Sequence, residues 1–78
     1  MDHMEFKELT NVRGFRQWGG YLSGRPYVIV KDINTGEFTA STKLAGDKTH
    51  YILDYGKGVE TLEQAKEAVM AYHRKQLS

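Results

Sequence analysis

The chain has 78 residues, 11 Lys and Arg against 10 Asp and Glu, a formal net charge of +1 and no cysteine. That length holds one domain, and without thiols neither a disulfide framework nor a thiolate metal site can support so small a core, so packing must. The charge balance excludes a strongly basic nucleic-acid coat and a strongly acidic mimic of nucleic acid. No apolar run approaches the roughly 20 residues of a bilayer span, and the lack of cysteine fits a cytoplasmic location.

The opening Met1-Asp2-His3-Met4 reads as a three-residue cloning scar ahead of a natural start at Met4. A single small domain is therefore expected over residues 4–78, and His3 carries no functional weight. The N-terminal third is the least regular. Phe6, Leu9 and Val12 are spaced three apart, which suits a helical turn, while Phe15-Arg16-Gln17-Trp18 suits a short strand paired with the next one. Gly14, Gly19, Gly20 and Gly24 break any long element, and both readings stay open.

Three strand-like runs follow. Residues 26–31 (Pro-Tyr-Val-Ile-Val-Lys) are rich in β-branched and aromatic side chains, residues 37–43 alternate polar and apolar, and residues 50–55 close the set. Asp32 to Gly36 has turn chemistry, and residues 45–48 form a short polar loop. Connections this short demand antiparallel neighbours. Alternation sends Phe38 and Ala40 inward and Glu37, Thr39, Ser41 and Lys43 outward. It also sends Tyr51, Leu53 and Tyr55 inward if His50 and Asp54 face out. In residues 26–31 either alternate pair can face the core. Val28 and Val30 are the preferred inward pair, which leaves Tyr27, Ile29 and Lys31 on the open face.

From Thr61 the chain reads TLEQAKEAVMAYHRKQ, with Leu62, Ala65, Val69 and Tyr72 at helical spacing and Ala68 widening the stripe. Thr61 and Gln64 make a capping-box pattern, and His73, Arg74 and Lys75 suit the helix C-terminus as cations. The expected fold is α+β: an antiparallel meander of three strands, or four if residues 15–18 join it, packed against one C-terminal helix.

Catalysis is poorly supported. Ser23, Ser41 and Ser78 lack the strained turn and base that a serine nucleophile needs. His50 and His73 have no partner at ligand spacing and read as surface or helix-end side chains, so no catalytic residue, metal or cofactor is expected. Gly56-Lys57-Gly58 lacks the spacing of a phosphate loop and reads as a glycine turn. The uneven feature is charge. Arg13, Arg16, Arg25 and Lys31 occur without an acid and are interleaved with Phe15, Trp18, Tyr21 and Tyr27, whereas residues 32–60 hold five acids and three lysines. Arginines beside aromatics suit phosphate contact and base stacking, and equally a protein interface. The opposing expectation puts Phe15 and Trp18 in the core.

Tyr-Gly-Lys-Gly-Val-Glu-Thr-Leu-Glu-Gln-Ala at the strand-to-helix junction, with Gly58, Val59, Thr61 and Ala65 at the marker places, resembles two related families. These are the arm-binding domains of tyrosine integrases and the Apetala-type DNA-binding domains of plants. The resemblance covers residues 27–72 and implies double-stranded DNA read by the sheet face, with Lys31, Thr39, Ser41 and Lys43 as contacts. Those sheets are richer in Arg, and Glu37 and Asp54 are acids near the implied face. A second resemblance, to double-stranded RNA-binding domains, requires a helix over residues 6–12 and lacks the paired lysines at the start of the last helix, where Thr61 and Leu62 stand.

Two functions are thus expected of a non-enzymatic module. One is double-stranded DNA binding through the open sheet face together with Arg13, Arg16 and Arg25. The other is a protein-interaction or inhibitor domain, of the small regulator type found in mobile elements and phages, with Trp18, Tyr21 and Tyr27 as anchors or a strand edge pairing with its partner. An uncovered edge strand also leaves a homodimer open, against which Lys31 and Lys43 act.

Overall fold

The computed structural model describes residues 6–9, 13–44, 48–53 and 59–77. The expectations for residues 1–3, Val12, Asp54, Tyr55 and the Gly56-Lys57-Gly58 turn lie outside them. The chain forms β1 (Lys7–Glu8), β2 (Phe15–Leu22), β3 (Arg25–Asp32), β4 (Phe38–Leu44), β5 (Lys48–Leu53) and α1 (Leu62–Leu77). The strands make one antiparallel sheet in the order β1-β2-β3-β4-β5, and α1 covers one face of it. The α+β class and the terminal helix match expectation; the strand count is five rather than three or four. The N-terminal third extends the sheet sideways, and residues 7–8 are strand where a helical turn was one of the two readings.

The turns explain the meander. Ser23 and Gly24 both have positive φ, 51° and 79°, as a two-residue hairpin whose twist matches its strands requires. At the next turn the Asp32 carboxylate accepts from the backbone N–H groups of Asn34 (2.9 Å) and Thr35 (3.4 Å), and Gly36 takes φ +76°. The Asp side chain thus closes the turn locally, as Asp commonly does.

Register decides which side of β3 is core, and the expectation is reversed. The tight Ser23–Gly24 hairpin pairs Gly20 with Tyr27 and Trp18 with Ile29, while β4 pairs Ala40 with Ile29 and Thr42 with Tyr27. Opposed residues share a face, so Trp18 and Leu22 carry Tyr27 and Ile29 under the helix. Tyr27 is 1% exposed and Ile29 fully buried, and Val28 and Val30 stand half-buried on the other side. Burying Tyr and Ile removes more apolar surface from water than burying two valines. Lys31, expected on the open face, is consequently on the helix side, its Nζ 5.6 Å from the Phe38 ring.

The alternation expected in β5 breaks for another reason. Ala40 pairs with Leu53 but Ser41 pairs with Tyr51, so Ile52 is an extra residue, a β-bulge. Leu53 stays in the core as expected. Tyr51, expected inward, turns to the open face, and His50, expected outward, comes round to the helix side, where its ring lies 5.6 Å from that of Tyr72.

The core comprises Trp18, Leu22, Tyr27, Ile29, Phe38, Ala40 and Leu53 from the sheet, with Ala65 and Val69 from α1. The helix begins as a capping box. Thr61 Oγ1 accepts from the Gln64 N–H (3.2 Å), and Gln64 Oε1 accepts from the N–H groups of Glu60 (2.7 Å) and Thr61 (3.3 Å). Thr61→Ala removes one of these bonds and is expected to destabilise the domain by about 1 kcal/mol, read as a lower urea midpoint at unchanged slope. His73, expected as a helix-end cation, is instead buried, with Nδ1 2.7 Å from the Tyr27 hydroxyl.

Candidate binding face

One face of the sheet lies under α1; the other is the open face. A row of register partners crosses it from β1 to β5: Lys7, Gly19, Val28, Ser41 and Tyr51. Beside that row stand Tyr21 with Pro26, and Lys43 with Thr49. A hollow of about 410 Å³ is lined by Lys7, Leu9, Gly19, Gly20, Tyr21, Pro26 and Val28, among others. It adjoins a smaller one of about 100 Å³ with Ser41, Lys43 and Thr49 in its wall, and Pro26 and Val28 belong to both. Together they make a shallow trough running across the strands.

The residues explain the trough. Gly19 lacks a side chain where its neighbours along the row have one, and the Leu9 side chain leans over it. A Cβ placed on Gly19 would lie 3.1 Å from Leu9 Cδ1. Tyr21 is 71% exposed, Tyr51 59% and Leu9 42%, so two phenol rings and an aliphatic side chain stand free around a floor of Val28 and Pro26. Lys7 and Lys43 are exposed, and among the described residues lining the trough there is no carboxylate. Asp32 shares this face at its far end, paired with Phe15, but its carboxylate is engaged in its own turn.

The ten expected contact residues are therefore divided between two sides. Tyr21, Thr39, Ser41 and Lys43 belong to the open face, although Thr39 is 8% exposed and too enclosed to reach a partner. Arg16, Trp18, Arg25, Tyr27 and Lys31 belong to the helix side by register. Trp18 is 7% exposed and stacks on Phe38 with centroids 6.3 Å apart, so Trp18 and Tyr27 are core rather than interface anchors. Arg16 is exposed but committed: its Nε and Nη2 both donate to Glu8 Oε2 at 3.0 and 2.9 Å, and its Cζ lies 5.2 Å from the Trp18 ring centroid. Arg13 is exposed in the turn before β2. Lys7, Gly19, Val28, Thr49 and Tyr51 were missed. The Gly19-Gly20 pair inside a strand-like run is the one signal that marks them, since glycine in a strand often indicates a close approach.

The buried Tyr27 hydroxyl is the perturbed group. Burial holds its pKa above the usual 10.0, with the neighbouring Arg25 partly offsetting. Among the described residues no three His, Asp or Glu side chains gather where they could hold a metal ion, and no helix is long and apolar enough to cross a membrane. No family model, curated protein or solved structure matches the chain.

Proposed function

We propose that the chain is a non-enzymatic nucleic-acid-binding module and that its working surface is the open face of the sheet. The observation that carries this is the trough: two exposed lysines at its rim, hydroxyls of Ser41 and Thr49 in its wall, exposed Tyr21 and Tyr51 rings beside it, and no carboxylate among the described lining residues. Lysines meet phosphates, and phenol rings stack with bases or sugars. The arginines of residues 13–25 have a lesser part than their sequence position suggests, because Arg16 is neutralised by Glu8 and Arg25 is turned toward the helix side.

Fluorescence anisotropy with a labelled oligonucleotide across a salt series tests this. With Lys7 and Lys43 as the phosphate contacts, the logarithm of the association constant is expected to fall with the logarithm of salt at a slope of about −1.4 for a single strand or about −1.8 for a duplex. Lys7→Ala and Lys43→Ala should each lower that slope by about half, and Arg16→Ala should leave it nearly unchanged. Binding that ignores salt, or that is lost with Arg16 alone, contradicts the proposal.

The apolar floor favours a second reading, an interaction with a protein segment through Leu9, Val28, Pro26 and the two tyrosines. It is distinguished by absence of any anisotropy change with nucleic acid at low salt.

A further inference from the structure

We infer that the nucleic acid this face takes is single-stranded, with one base seated in the hollow over Val28 and Pro26 between Tyr21 and Leu9, and with Lys7 on the adjoining phosphate. The inference rests on the nucleic-acid reading above and specifies its substrate class. The number of strands is the first argument. Five strands about 4.8 Å apart place β1 and β5 about 19 Å from each other, whereas the major groove of B-DNA is about 12 Å wide. That groove admits a two-stranded β-ribbon; the row from Lys7 to Tyr51, which uses all five strands, is too broad to enter it face-on. A single strand has no groove to match and spreads its bases over a sheet of this width.

The side chains agree. Tyr21 and Tyr51 lie on β2 and β5, three strand spacings or about 14 Å apart, and both rings stand largely in solvent. Bases paired inside a duplex have no free face to offer them. The hollow, about 410 Å³, falls within the roughly 300–1,000 Å³ of small-ligand sites. Gly19 lets Leu9 pack down against the sheet at one wall of the hollow; a Cβ there would lie 3.1 Å from Leu9 Cδ1 and force that wall to shift.

The test compares a short labelled oligodeoxythymidylate, the corresponding oligouridylate and a duplex of equal length at one low salt concentration. The single strands are expected to bind more tightly than the duplex. Tyr21→Ala should weaken single-strand binding by roughly five- to a hundredfold, and Gly19→Ala should weaken it too, with thermal unfolding of both variants close to that of the parent chain. A preference between thymidylate and uridylate would identify the sugar that the face accepts and supports the inference either way. Duplex binding equal to or tighter than single-strand binding overturns this inference while leaving the nucleic-acid reading in place. Single-strand binding indifferent to Tyr21→Ala and Gly19→Ala overturns the base seat. No binding to any of the three removes both, and the protein-partner reading then stands.

Discussion

Trp18→Ala is expected to destabilise the domain by about 3–5 kcal/mol, the usual consequence of emptying a large aromatic site in a core. A chain of this length has about 4–12 kcal/mol in total, so the variant should be largely unfolded at modest urea or at physiological temperature. The indole is 7% exposed, stacked on Phe38 and opposite Ile29 in the register, within the core that the sheet shares with the helix. Tyr21→Ala is the control: at 71% exposure the side chain should matter by less than about 0.5 kcal/mol. Paired urea melts read both. Equal, small effects would place Trp18 on the surface and undo the assignment of faces.

The second large effect concerns the buried pair of Tyr27 and His73. Their 2.7 Å hydrogen bond joins β3 to α1, with the rings edge-on at 5.6 Å. Tyr27→Phe leaves the imidazole nitrogen without its partner inside the core and is expected to cost about 1–3 kcal/mol. His73→Leu leaves the buried phenol without its hydrogen-bond partner. The double variant should be less unstable than the sum of the singles, because it strands neither group. The pH dependence has a definite sign. Burial raises the folded pKa of Tyr27 above 10.0, so above that value the native state holds a proton that the unfolded chain has released, and stability falls as pH rises. The contribution is complete below about pH 10 and is lost as pH climbs through the folded pKa. Urea melts of the parent and Tyr27→Phe should therefore converge between about pH 8 and pH 11; curves that stay parallel would mean that the phenol is not shielded from water.

The helix, its cap and the Asp32 turn were legible because each is a local pattern: a stripe at helical spacing, a Thr followed by Gln, and an Asp before a glycine. The inward placement of Phe38, Ala40 and Leu53 was legible from alternation. What alternation alone cannot supply is phase. Residues 26–31 are apolar on both sides, so the choice between Tyr27/Ile29 and Val28/Val30 is made by a neighbour, Trp18 on β2, through a hairpin register fixed at Ser23 and Gly24. The glycines of residues 14–24 left that strand as one of two readings and hid its full length, and the fifth strand with Lys7 gave no sign of its own. The bulge at Ile52 gave no local sign, yet it moves Tyr51 from core to open face. The candidate site suffered from this more than the fold did. A cluster of arginines and aromatics contiguous in sequence is divided by the pleat, which sends successive residues to opposite faces. Thr39, Ser41 and Lys43 remained on the expected face and Lys31 did not, while Arg16 and Arg25 lie on the opposite side from Tyr21.

Backbone amide shifts measured during titration with a short single-stranded oligonucleotide test the sheet-face assignment most directly. Perturbations are expected at Lys7, Gly19, Tyr21, Val28, Ser41, Lys43 and Tyr51, which share one face across five strands. Perturbations centred instead on Arg16, Arg25, Lys31 and the exposed side of the helix would contradict it.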